Sequence, residues 1–206
     1  LSPQGYLLAT DEFLFVPSGR SLPAAFDRRT GNMVHKRTHG WRKDAGGVVG
    51  GTNALLADGQ IYSGGEHHLL AMEERTGDVG FGWFAGQQMT VIGDDAYAAT
   101  GTVIARLDRD VYAVNSRVRH KLELEIYDLT RLLRAEKDTE KIAAIRKQVD
   151  DANTEISKIA NIGVIWQQET TDDASLLATP GAVFLGGRNR VTAYSTDNGG
   201  VLWQTA

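Results

Sequence analysis

The sequence predicts a mainly β fold built from about four four-stranded antiparallel propeller blades, with a helical hairpin set into the third. Three observations carry this. A loose frame, Ala-x-Asp-x-x-Thr-Gly-x-x-x-Trp, returns four times along the 206 residues. The copies fall at a spacing close to the roughly 40–45 residues of a propeller blade. One segment, residues 118–160, changes abruptly to helical character.

Copy one runs Ala25-Phe-Asp27-Arg-Arg-Thr30-Gly31 and ends at His35; copy two runs Ala71-Met-Glu73-Glu-Arg-Thr76-Gly77 and ends at Phe81. Copy four runs Ala193-Tyr-Ser195-Thr-Asp-Asn198-Gly199 and ends at Trp203. Copy three begins at Ala113-Val-Asn115-Ser-Arg117, stops, and resumes at Asn161-Ile-Gly-Val-Ile-Trp166, in line with Asn198–Trp203. With residues 118–160 left out, the frame alanines are 46, 42 and 37 residues apart.

Within a repeat the pattern reads as four short strands rich in β-branched and aromatic residues, separated by Gly, Asp and Asn. In the first they are expected at Tyr6–Thr10, Phe13–Pro17, Leu22–Asp27 and Met33–Thr38. In the last they are expected at Ser175–Thr179, Ala182–Leu185, Arg190–Tyr194 and Val201–Thr205. Gly19, Gly65 and Gly187 each stand six residues before a frame alanine, where a positive-φ glycine would turn the second strand into the third. Gly101 stands twelve residues ahead of Ala113, which predicts a longer loop in the third repeat. The Thr-Gly or Asn-Gly of the frame predicts the turn between strands three and four. The small alanine suits close packing of one blade on the next, and the aromatic ten residues later would cover that junction. Four unrelated hairpins in a sandwich are the alternative, which the coupled recurrence of several markers disfavours.

Residues 118–160 hold neither glycine nor proline. Leu122, Ile126, Leu129 and Leu133 form one heptad seam; Ile142, Ile145, Val149, Ala152, Ile156 and Ile159 form a second. Asp138, between them, is a suitable N-cap for the second helix. Two antiparallel helices of about 20 residues would make an arm about 30 Å long and bring the chain back to the blade it left. The organisation expected is therefore blades one to three up to residue 117, the hairpin at 118–160, and the end of blade three with blade four at 161–206. At the arm, Tyr127, Arg134, Glu136, Lys137 and Asp138 are the candidate partner-binding residues, because the seam residues are needed between the helices.

The frame resembles the tryptophan-docking motif of the quinoprotein dehydrogenase-like propellers. That superfamily includes pyrroloquinoline-quinone alcohol dehydrogenases and non-enzymatic periplasmic proteins of the outer-membrane assembly lipoprotein type, and the chain resembles the latter more. The copies depart from the motif: His35 and Phe81 replace its Trp, with Trp41 and Trp83 near, and Asn115 and Ser195 replace its Asp. In the enzymes of that family the resemblance would imply a quinone on the ring axis, a bound calcium, an aspartate base and often a vicinal disulfide. This chain has no cysteine, and no residue of it aligns with the base or the calcium ligands. The resemblance also implies a periplasmic or other extracytoplasmic location and a parent ring of seven or eight blades.

Composition narrows the rest. Hydrophobic residues make up 42% and charged residues 23%, an ordinary globular balance. A net charge of −4 argues against a groove that neutralises nucleic-acid phosphates. No stretch approaches the roughly 20 apolar residues of a membrane span. The chain has no visible signal segment and starts just before a first strand, so it reads as a piece of a longer protein, about half of a ring or one that pairs with another copy.

Other candidate sites are weaker. His35 and His39 are four apart, but at a strand end that spacing does not place them on one face. His67 and His68, after Glu66, would point to opposite faces of a strand. Asp94-Asp95 and Asp172-Asp173 sit at turns, where acids also serve local hydrogen bonds. Gly46-Gly47-Val-Val-Gly50-Gly51 lacks the Lys-Ser/Thr of a phosphate loop and reads as a link. The expected function is a non-catalytic protein-binding or scaffold module, with self-association or a protein partner and no cofactor. The alternative is part of a quinone-dependent oxidoreductase, which would carry pyrroloquinoline quinone and calcium.

Overall fold

The computed structural model describes residues 6–18, 21–36, 54–64, 69–82 and 88–205. Among the described residues, four antiparallel sheets of four strands follow one another along the chain, each with its strands in sequence order. The first holds β1 (Leu8–Ala9), β2 (Phe13–Ser18), β3 (Ser21–Asp27) and β4 (Met33–His35). The second holds β5 (Ala54–Ala57), β6 (Gln60–Gly64), β7 (Leu69–Glu73) and β8 (Val79–Gly82). The third holds β9 (Gln88–Ile92), β10 (Asp95–Ala99), β11 (Val103–Asp108) and β12 (Val164–Glu169). The fourth holds β13 (Ser175–Thr179), β14 (Ala182–Gly187), β15 (Arg190–Ser195) and β16 (Val201–Thr205). Between β11 and β12 lie α1 (Arg109–Ala135) and α2 (Thr139–Ile159), which pack on each other.

The repeated frame marks one register point in every sheet. The pairing of third and fourth strands slips by a bulge after Ala25, Ala71 and Ala193. Those alanines stand opposite His35, Phe81 and Trp203. A bulge bends the strand and tightens its twist. In the third sheet the same slip follows Arg106, which stands opposite Trp166. Arg106-Leu107-Asp108 is thus the third copy of the frame. The segment Ala113-Val-Asn115-Ser-Arg117, expected as a third strand ending at residue 117, lies inside α1.

The physical reason is the cap. The Asp108 carboxylate accepts a hydrogen bond from the Val111 amide (2.9 Å), and Asp110 lies in the first turn. The apolar face then continues back from the predicted seam through Ser116, Ala113 and Tyr112, all buried. Gly101 sits in the short turn between β10 and β11, so the longer loop expected there does not form.

The frame turns are built by their own side chains. Gly31, Gly77 and Gly199 have φ of 73°, 71° and 72°. Each amide returns to the carbonyl at the frame's acidic position, on Asp27, Glu73 and Ser195 respectively. Asp27 Oδ1 accepts from the Arg29 amide and from the amide and hydroxyl of Thr30. Those bonds, led by the Thr30 hydroxyl, hold the Asp27 carboxyl below its usual range.

The turn between β14 and β15 differs from expectation. Its positive-φ residue is Asn189 (62°), while Gly187 belongs to β14. Gly187 is small for another reason: a Cβ there would overlap the Asp172 carboxylate. Gly19 and Gly65, His39, Trp41, the Gly46–Gly51 run, His67, His68 and Trp83 lie outside the described residues.

Consecutive sheets pack face to face. Phe13, Phe15 and Ala25 of the first sheet meet Ile61 and Met72 of the second. Tyr62 and Ala71 of the second meet Ala96, Ala98, Ala105 and Leu107 of the third, and Tyr112 and Ala113 of α1 join this cluster. Tyr97, Ile104 and Trp166 of the third meet Val183, Leu185 and Tyr194 of the fourth. Alternation along each strand sends one set of side chains to the preceding sheet and the other to the following one.

Candidate functional site

Three places on this scaffold gather polar or exposed groups. The first is the seam between neighbouring sheets, where the last residue of the frame meets the next sheet's turn. Trp166 Nε1 donates to the Thr196 carbonyl (2.8 Å), and its ring lies on Gly199 so closely that a Cβ there would sit 2.7 Å from it. Arg106 Nη1 donates to the same carbonyl (2.9 Å), while Nη2 binds Asp95 Oδ2 (2.7 Å), and the Asp95 bond raises the guanidinium pKa. His35 repeats the arrangement at the junction of the first and second sheets. Its Nε2 is 2.8 Å from the Glu74 carbonyl, and its ring lies over Gly77. His35 is therefore a packing residue between sheets.

The second place is a cleft of about 680 Å³ between the outer strands of the third and fourth sheets. Its floor is an ion pair. Asp172, 2% exposed, receives Arg190 Nε on both oxygens (2.8 and 2.9 Å). The Thr192 hydroxyl donates to Asp172 Oδ2 (3.4 Å), and Gln204 Nε2 donates to that hydroxyl (2.8 Å). Arg190 also bonds the Thr171 hydroxyl. A buried carboxylate satisfied in this way joins the β12–β13 connection to the fourth sheet. Asp172 is thus engaged by Arg190 and Thr192, and Asp95 by Arg106. Among the described residues no group of three or more His, Cys, Asp or Glu could hold a metal ion.

The third place is the helical pair. Every residue of the two predicted seams is buried or half-buried, from Leu122 to Leu133 and from Ile142 to Ile159. The candidate residues lie away from that seam, with different tasks. Tyr127 is exposed on α1, and Arg134 is exposed in its last turn. Glu136 Oε1 accepts the Asp138 amide (3.0 Å) and the Lys137 amide (2.8 Å). These bonds lower its pKa, the Asp138 one most. Asp138 Oδ1 accepts the Glu140 and Lys141 amides (2.9 and 3.2 Å) as the N-cap of α2. Glu136 and Asp138 thus build the tip, while Tyr127, Arg134 and Lys137 present exposed side chains.

Sequence reasoning passed over the apolar residues outside the seam. Val111, Val114 and Val118 share one side of α1 at helical spacing and are exposed, as are Leu124 and Leu132, with Val114 and Leu132 each at 58%. Their positions relative to the seam could have shown them. The Arg190–Asp172 pair had no comparable sequence signal, because its partners are 18 residues apart and meet only when the fourth sheet folds.

No protein-family description matches the chain, and no curated protein matches it. Solved structures do. The chain superposes on the computationally designed Ika8 protein with a TM-score of 0.58 at 8% identity, covering 97% of this chain and 48% of that one. It superposes on a quinohemoprotein alcohol dehydrogenase, ADHIIG, from Pseudomonas putida HK5 with a TM-score of 0.54 at 12% identity, covering 98% and 34%. For the Pan2 WD40 domain of Neurospora crassa the values are 0.53 and 10%, covering 98% and 49%. The chain thus spans half or less of the length of these three. At such identities the likeness concerns the fold alone, and it is that of β-propellers, including the quinoprotein dehydrogenase-like kind.

Proposed function

We propose that this protein is a non-catalytic binding or scaffold module on propeller blades, and that α1 and α2 form a helical hairpin inserted into the third blade as its interaction arm. The observation that supports this is the apolar surface of α1 outside the hairpin seam, with Val114, Val118, Leu124 and Leu132 turned to solvent. Apolar side chains concentrated on a projecting element mark an interaction surface more often than a solvated one. The partner is a protein whose apolar groove accepts a helix face.

The test places a photo-crosslinking residue at position 132 in cells that make the protein. A discrete protein adduct is expected, and it should vanish when Val114→Glu and Val118→Glu are introduced while the melting temperature holds. A second variant replaces residues 124–150 by the native Glu136-Lys137-Asp138 turn, leaving Tyr112, Ala113 and Ser116 in place. It should keep the blades folded and lose the adduct from a probe at position 118. An adduct that survives these changes sinks the arm reading.

The superposition on a quinohemoprotein dehydrogenase favours a second reading, part of a quinone-dependent oxidoreductase. Titration with pyrroloquinoline quinone and calcium, followed by quinone absorbance after gel filtration, separates the two: retained quinone supports the enzyme reading. An extracytoplasmic location, and kinship with non-enzymatic propellers of the outer-membrane assembly type, belong to the scaffold proposal and are tested by cell fractionation.

A further inference from the structure

We propose that two copies of this chain pair head to tail, the fourth blade of each seating on the first blade of the other, to close an eight-bladed ring. The junction between consecutive blades repeats along the chain, independently of the arm. In every blade the same register row crosses the four strands and faces the next blade; in the fourth it is Leu177, Phe184, Ala193 and Trp203. Where a blade follows, the row is covered: Phe15, Tyr62 and Tyr97, each at the place of Phe184, are buried, and Trp166 is 9% exposed. In the fourth blade Leu177 is 60% and Trp203 47% exposed, with Trp203 held against Phe184 at a ring separation of 5.8 Å.

The matching seat exists at the other end of the molecule. His35 rests on Gly77 beside the Glu74 carbonyl, and Trp166 rests on Gly199 beside the Thr196 carbonyl. The first blade has the same turn, with Gly31 at the place of those glycines and the Arg28 carbonyl at the place of those carbonyls. Among the described residues nothing lies within 4 Å of where a Gly31 Cβ would be. The face behind this turn is open too: Leu7 and Met33 are exposed and Phe26 only half-buried, whereas Met72 and Leu107, at the place of Phe26, are fully buried. One end thus carries the aromatic and the other carries its seat.

A second copy supplies both. A head-to-tail contact closes when its rotation does, and two sets of four blades give eight, within the range at which propellers close. The new junction continues the three that the chain already contains.

The test is sedimentation velocity and native mass spectrometry on the full chain over a wide range of concentration. A dimer, at twice the 22.4 kDa chain mass, is expected. Trp203→Ala should raise its dissociation constant at least about 30-fold, the weight of a central interface residue. Gly31→Asn should do the same, since asparagine tolerates the left-handed backbone and leaves the monomer folded while filling the seat. Mixed together, the two variants should associate more tightly than either does alone, because one junction of the mixed pair is intact and the two lesions meet in the other. A monomer at all concentrations overturns the proposal. So does an open series of larger species, or a mixture no tighter than its components.

Discussion

At the scale of single residues, the repeated turn explains why the frame has the composition it has. Asp27, two places after the first alanine, takes the turn's amides and the Thr30 hydroxyl, and in three copies the glycine four places later adopts positive φ. Sequence spacing was enough to place these. Gly187 shows where spacing fails. Its six-residue offset from Ala193 marked it as a turn glycine, yet it lies in β14, because the Asp172 carboxylate occupies the space a side chain would need. Gly187→Ala is therefore expected to destabilise the chain by about 1–3 kcal/mol through overpacking against the Arg190–Asp172 pair. Urea unfolding with an unchanged m-value measures it; a loss of only a few tenths would show that Asp172 moves aside freely.

At the scale of elements, the helices were legible and their start was not. The heptad seams and the Asp138 cap are local, and local patterns survive in a sequence. Where α1 begins depends on Asp108, which holds the frame's acidic position and also caps a helix. The same residue type serves both tasks, so the residues alone favoured a strand through Ala113. Gly163 closes the other end. Its carbonyl accepts the Asp108 amide at 2.8 Å, and a Cβ on it would lie 2.7 Å from the Tyr112 amide nitrogen. The helical pair thus leaves and rejoins the third sheet at one tight point. Asp138→Ala removes the acceptor of the Glu140 and Lys141 amides and should cost about 1 kcal/mol, felt in the arm. Hydrogen exchange should quicken at those two amides and through the first turn of α2, while the sheets keep their protection. Slowed or unchanged exchange there would contradict the cap's role.

At the scale of the whole molecule, consecutive sheets share their apolar residues at each junction. Tyr62 reports on this. Its burial between the second and third sheets raises its pKa from 10.0 to about 12. The folded state then holds the phenol proton more tightly than the unfolded state. That stabilisation is complete below pH 10 and is lost as pH rises through about 12. Alkaline titration should show Tyr62 ionising together with loss of near-ultraviolet circular dichroism, and Tyr62→Phe should move the unfolding midpoint to higher pH. An unmoved midpoint would mean that Tyr62 ionises without parting the sheets. By itself the sequence determined the number of sheets, most strand positions in the last repeat, the frame turns and the helical seams, because each follows from a short period or a local hydrogen bond. Only the tertiary structure decided that Arg106 stands in for the third alanine, that His35 serves as a junction residue, that Asp172 is held by Arg190, and that the two end faces are open. Those depend on which sheet lies against which, and contacts between segments distant in sequence leave no periodic trace in it.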